Sequence, residues 1–135
     1  MKIMVLVVED SEKEVRTIVA AWREGNLSHE IVSIATGDEA RVFLMSERGR
    51  GGRSKVRIVL LNIHSSRVCG LEFLDWLREQ GYFSELLVVA LAERSQLRDV
   101  VKSYERGAHT FFVKPVHVED VKMLAKNYPD FCSPE

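Results

Sequence analysis

Short apolar runs alternate with longer amphipathic stretches along this chain, and that alternation leaves few folds open. Residues 3–8, 30–35, 56–61, 86–91 and 109–113 read as strands. Between and after them, residues 12–24, 38–46, 71–80, 95–106 and 118–127 carry apolar positions at helical spacing. Strands that alternate with helices imply a parallel sheet covered on both faces. The runs at 58–61 and 86–89 contain no polar residue, as strands buried on both sides require. Right-handed crossovers then restrict the topology further. No internal repeat and no second domain is visible. One domain over residues 1–128 and a tail over 129–135 are expected.

Local signals support these boundaries. Ser11 precedes the first helix as a cap, with Glu14 three residues on for a capping box. Val15, Ile18, Val19 and Trp22 share one face of that helix, and Gly25-Asn26 ends it. Ala40, Phe43 and Leu44 point the second helix at the core. Gly107 is a C-terminal glycine signal for the fourth helix. Pro129 bars extension of the fifth, which leaves residues 130–135 as a loose tail. The segment 48–55, rich in arginine and glycine, reads as a solvated loop. It could face an acidic partner or phosphates, but it lacks the aromatics that base stacking needs. Its glycines precede a strand, so they form no phosphate-binding fingerprint.

Composition narrows the functional classes. With 135 residues, 46% of them hydrophobic, the chain can bury a core of its own. A net charge of −1 gives no general attraction to nucleic acid, so nucleic acid is not expected as a partner. No apolar stretch approaches the roughly 20 residues that span a bilayer, and the N-terminus lacks a signal-peptide cleavage site. Cys69 and Cys132 have neither metal-ligand spacing nor a disulfide framework, and read as reduced thiols of a cytoplasmic protein. His29, His64, His109 and His117 are scattered without metal spacing. Trp22 and Trp76 lie at apolar helix positions and read as packing residues.

The polar residues that end the strands carry the functional signal. The first run ends in Glu9-Asp10, the third in Asn62, and the fifth in Lys114-Pro115. Gly70-Leu71-Glu72-Phe73-Leu74 and Gly107-Ala108 fall between them in order. Taken together, these motifs resemble the receiver domain of two-component response regulators, over residues 3 to about 127. That resemblance implies a flavodoxin-like (βα)5 sandwich with strand order 2-1-3-4-5. It also implies that Glu9, Asp10 and Asn62 converge at the carboxyl ends of the strands. In the family such a cluster holds Mg²⁺, and an aspartate at the third strand's end attacks a phosphoryl group.

Four positions depart from the family pattern. Asn62 stands at the phospho-acceptor position, and its amide is a poor nucleophile, although its oxygen could still ligate a metal. Ala92 stands where receivers keep a threonine or serine. Ser65-Ser66 replaces the family's methionine-proline. Lys114 is retained, and so is an aromatic at the switch position, Phe111. A degenerate receiver is therefore expected, most similar to the small single-domain receivers that partner bacterial phytochrome kinases. It is not an enzyme, works by protein contact without phosphorylation, and binds Mg²⁺ only weakly through Glu9 and Asp10. Its expected partners are a histidine kinase or another signalling protein. A second copy is also expected, through the face of the fourth helix, fifth strand and fifth helix. Two rivals stay open: a phosphorelay receiver with another acceptor, such as Asp10, and a flavodoxin-like cofactor binder or enzyme.

Overall fold

A computed structural model of the chain describes residues 3–50 and 55–132. The chain runs β1 (Met4–Val8), α1 (Glu12–Glu24), β2 (Glu30–Ile34), α2 (Gly37–Arg48), β3 (Val56–Asn62) and α3 (Gly70–Glu79). It continues through β4 (Leu87–Ala92), α4 (Arg98–Glu105), β5 (Thr110–Val113), α5 (Val118–Asn127) and α6 (Pro129–Cys132). The five strands are parallel in the order β2-β1-β3-β4-β5. This is the expected flavodoxin-like order.

The apolar strands split their side chains between two cores because successive residues point to opposite faces. Leu6, Val8, Val59, Leu61, Val88 and Ala90 meet Leu44 of α2, Phe73, Leu74 and Leu77 of α3 and Val100 of α4. Val5, Val7, Ile58, Leu60, Val89 and Leu91 meet Ile18 and Trp22 of α1 and Val121 and Leu124 of α5. Each fully buried large apolar side chain contributes about 1.5–3 kcal/mol. Strand β2 lies at the sheet's edge, and none of its residues is fully buried.

The structure corrects several boundaries. Helix α2 runs two residues past its expected end, to Arg48. Arg48 is no loop arginine: its guanidinium lies 3.6 Å from the Tyr82 ring centroid and donates to the carbonyl of Gln80. Residues 51–54 of the expected loop lie outside the described residues. The fourth helix begins at Arg98, three residues late, after a 3-10 turn at Arg94–Gln96. The expected capping box at α1 is half present. Ser11 Oγ accepts from Glu14 N, worth about 1 kcal/mol, but Ser11's own N–H turns to Glu9. The tail is not loose over 129–132: α6 packs Phe131 and Cys132 against the α1/α5 core. The Phe131 carbonyl accepts from His29 Nε2, and His29 Nδ1 accepts from Trp22 Nε1. His29 and Trp22 looked unrelated in sequence, and the fold joins them.

Candidate functional site

Strand register assembles the site. Val8 pairs with Leu61, and Asn62 pairs with Leu91, so Glu9 and Asn62 emerge side by side from β1 and β3. Val113 pairs with Ala92, and the Lys114 N–H donates to the Ala92 carbonyl. These pairings aim Lys114 back across the ends of the central strands. Its ammonium lies 2.6 Å from Glu9 Oε1, with the two side chains 9% and 1% exposed. That contact is an ion pair almost without water, and among the described residues Glu9 Oε1 has no aligned hydrogen bond besides it.

Asn62 is buried, and both ends of its amide are used. Nδ2 donates to Glu9 Oε2 at 2.9 Å, while Oδ1 accepts from the backbone N–H groups of His64 (2.8 Å) and Ser65 (3.3 Å). Only this orientation suits the partners, since a carboxylate accepts and backbone N–H groups donate. Gly70 makes the tight loop possible: a Cβ there would sit 2.4 Å from the Asn62 carbonyl oxygen. Glu9 Oε2 also accepts from Ser11 N at 3.2 Å.

Asp10 sits at the rim. Ser65 Oγ donates to its Oδ2 at 2.9 Å and accepts in turn from the N–H groups of Arg67 and Val68. Burial pushes the Asp10 carboxyl up, but hydrogen bonding, first from Ser65, and the nearby Arg67 charge outweigh it. The group is held below the usual carboxylate range. A cleft of about 530 Å³ opens beside it, lined by Glu9, Asp10, Arg16, Ser33 and Arg67 among others.

The expected site residues thus divide. Glu9, Asp10, Asn62 and Lys114 converge. Ala92 is fully buried at the end of β4 and offers no hydroxyl. Phe111 is half-buried, with its ring edge-on to Tyr104 at 6.2 Å. The Asn62 oxygen, expected to be open to a metal, is turned to the loop backbone instead. Glu9 is already committed to Lys114, Asn62 and Ser11, so the groups present fit a tightly held divalent cation poorly. Among the described residues no cluster of three or more His, Cys, Asp or Glu could hold one.

Sequence reasoning missed three participants. Ser65 registered only as a departure from a motif, and Arg67 not at all. His64 registered only as one of four histidines without metal spacing, yet its Nδ1 lies 3.0 Å from Asp99 Oδ2 of α4. Nothing local in the sequence signals a contact between residues 35 positions apart.

Parallel order 2-1-3-4-5, an acidic pair after β1 and a lysine after β5 together define a receiver. The response regulator receiver domain profile matches residues 5–126, and the chain belongs to that family. Response regulator Rcp1 of Synechocystis sp. is 22% identical over 128 residues, covering 95% of this chain and 87% of its own length. Among solved structures, the bacteriophytochrome response regulator RtBRR superposes with a TM-score of 0.78 at 30% identity. That match covers 94% of this chain and 78% of RtBRR. A two-component response regulator from Legionella pneumophila matches with a TM-score of 0.80, covering 96% and 99%; at 20% identity it speaks for the fold alone. The chain is therefore a receiver of two-component signalling, a class that interacts with histidine kinases and other signalling proteins. Receivers are signalling modules and in general not enzymes, so the cofactor-binder reading gives way. No helix among the described residues is long and apolar enough to cross a membrane.

Proposed function

We propose that this receiver signals by protein contact without aspartyl phosphorylation. The observation that carries the reading is the double engagement of Asn62, which makes the acceptor position a structural amide. It supplies no charged nucleophile, and its oxygen is spent on the loop. Two further features agree. Lys114, the cation that would otherwise meet a phosphoryl group, is drawn to Glu9. Ala92 leaves no hydroxyl to report a phosphoryl group to α4. With Lys114 and Arg67 facing Glu9 and Asp10, the pocket is balanced by the protein's own cations. Mg²⁺ binding is accordingly weak.

Incubation with acetyl phosphate and Mg²⁺ should leave the intact mass unchanged. A stoichiometric, Mg²⁺-dependent phosphate adduct would overturn this reading, and mapping it to Asp10 would establish the non-standard acceptor.

A receiver with no phosphoryl switch needs a surface already competent to bind. Of the six exposed large hydrophobics among the described residues, Leu97, Val101, Tyr104 and Met123 lie on or beside α4 and on α5. This supports self-association through α4, β5 and α5, with Arg98, Lys102, Glu119 and Asp120 at the polar rim. Asp120 already caps α5 by accepting from His117 N. Sedimentation at micromolar concentration should show a dimer that Arg98→Glu with Lys102→Glu weakens. A monomer throughout refutes the dimer, and a dimer unmoved by the double reversal places the interface elsewhere.

A further inference from the structure

Helix α4 is poorly secured by its own sequence. It has eight residues, its N-cap position is Leu97 with no side-chain cap, and only Val100 and Ser103 are buried. Leu97, Val101 and Tyr104 face solvent. Such a helix is marginal unless something fixes its end. Asp99 in its first turn is well placed for that, since a negative charge there complements the helix dipole. His64 Nδ1 meets it at 3.0 Å, with side-chain exposures of 11% for the histidine and 27% for the aspartate. Lys102 also approaches Asp99, at a looser 3.8 Å.

His64 is held from the opposite side by the site itself. Its backbone N–H donates to Asn62 Oδ1 at 2.8 Å. The chain Glu9–Asn62–His64–Asp99 therefore runs without a break from the acidic pocket to α4. His64 Nε2 is buried with no protein partner among the described residues. A buried nitrogen left unpaired is unfavourable for stability, which points to a role for this histidine beyond filling space.

We propose that His64 is a positioning residue: the His64–Asp99 contact ties α4 to the acceptor loop and sets the α4 surface permanently. The proposal rests on the phosphorylation-independent reading above and supplies its coupling element. In place of a hydroxyl that would move on phosphorylation, a fixed histidine–carboxylate contact holds one arrangement. Ala92 then has nothing to report, and Asn62 acts through the loop it anchors.

Native-state hydrogen exchange of the α4 amides, with the β1 and β3 amides as internal reference, tests this. His64→Ala should accelerate α4 exchange roughly tenfold or more, the scale of one hydrogen bond to a charged group, and leave β3 unchanged. Asp99→Ala, which removes the acceptor, should do the same, and the double variant should add little to either single change. His64→Gln, which can still donate near Asp99, should recover part of the protection and covers the case in which His64→Ala fails to fold. Unchanged α4 exchange, additive effects, or equal acceleration in α4 and β3 would each overturn the proposal. Failure here is distinguishable from failure of the phosphorylation-independent reading, because the latter is decided on the wild-type protein by mass alone.

Discussion

Restoring a carboxylate at position 62 is the sharpest perturbation of the pocket. In Asn62→Asp, the 2.9 Å contact from Nδ2 to Glu9 Oε2 becomes a contact between two carboxylates. The variant loses a charge-assisted hydrogen bond worth about 1.5–3 kcal/mol. Like charges that relax to about 4 Å repel by roughly 4 kcal/mol at an effective dielectric of about 20. Lys114, at 2.6 Å from the other oxygen of Glu9, offsets part of this. A net loss of about 3 kcal/mol follows, or about 10 °C in Tm for a domain of this size. Repulsion raises the pKa of the introduced carboxyl in the folded state, so folding takes up protons and the penalty shrinks as the pH falls. Mg²⁺ bound only by the folded variant would restore up to about 2.7 kcal/mol at a hundredfold excess over Kd. Thermal melts of both proteins at neutral pH and low salt, with and without millimolar Mg²⁺, provide the assay. The variant should melt lower and recover with Mg²⁺, while the wild type should barely respond. Equal melting temperatures under all four conditions would refute the claim that these groups share one pocket.

Other perturbations test neighbouring contacts. Lys114→Ala strands the buried Glu9 carboxylate and should cost about 3–5 kcal/mol in urea unfolding; a loss below about 1 kcal/mol, the range of exposed pairs, would mean the pair is solvated. Gly70→Ala would drive a Cβ to 2.4 Å from the Asn62 carbonyl and 2.7 Å from Ile63 Cα, so about 1–3 kcal/mol of overpacking and shifted His64 and Ser65 amide resonances are expected. Burial lowers the His29 pKa from 6.5, and Trp22 can only donate to it, so a neutral ring with Nε2–H is required. Docking of α6 is therefore fully supported above about pH 6.5 and lost as pH falls through the lower folded value, read as altered tryptophan fluorescence that His29→Gln should flatten.

The layered fold was legible because burial on both faces of a parallel sheet demands uninterrupted apolar strands, and the runs at 58–61 and 86–89 meet that demand without help from tertiary context. The grouping of Glu9, Asp10, Asn62 and Lys114 followed from the resemblance to receivers, whose strand order brings these strand ends to one edge. The short docked helix at 129–132 was missed because a proline that stops one helix can equally open the next. Within the site, a residue's type was readable and its partner was not. The sequence alone settled that position 62 bears an amide and position 92 no hydroxyl. Only the tertiary structure decided which way that amide faces, that Lys114 pairs with Glu9, and that His64 reaches Asp99. The physical reason is range: strand and helix periodicities are local, whereas these contacts join elements brought together only by the register of β1, β3, β4 and β5.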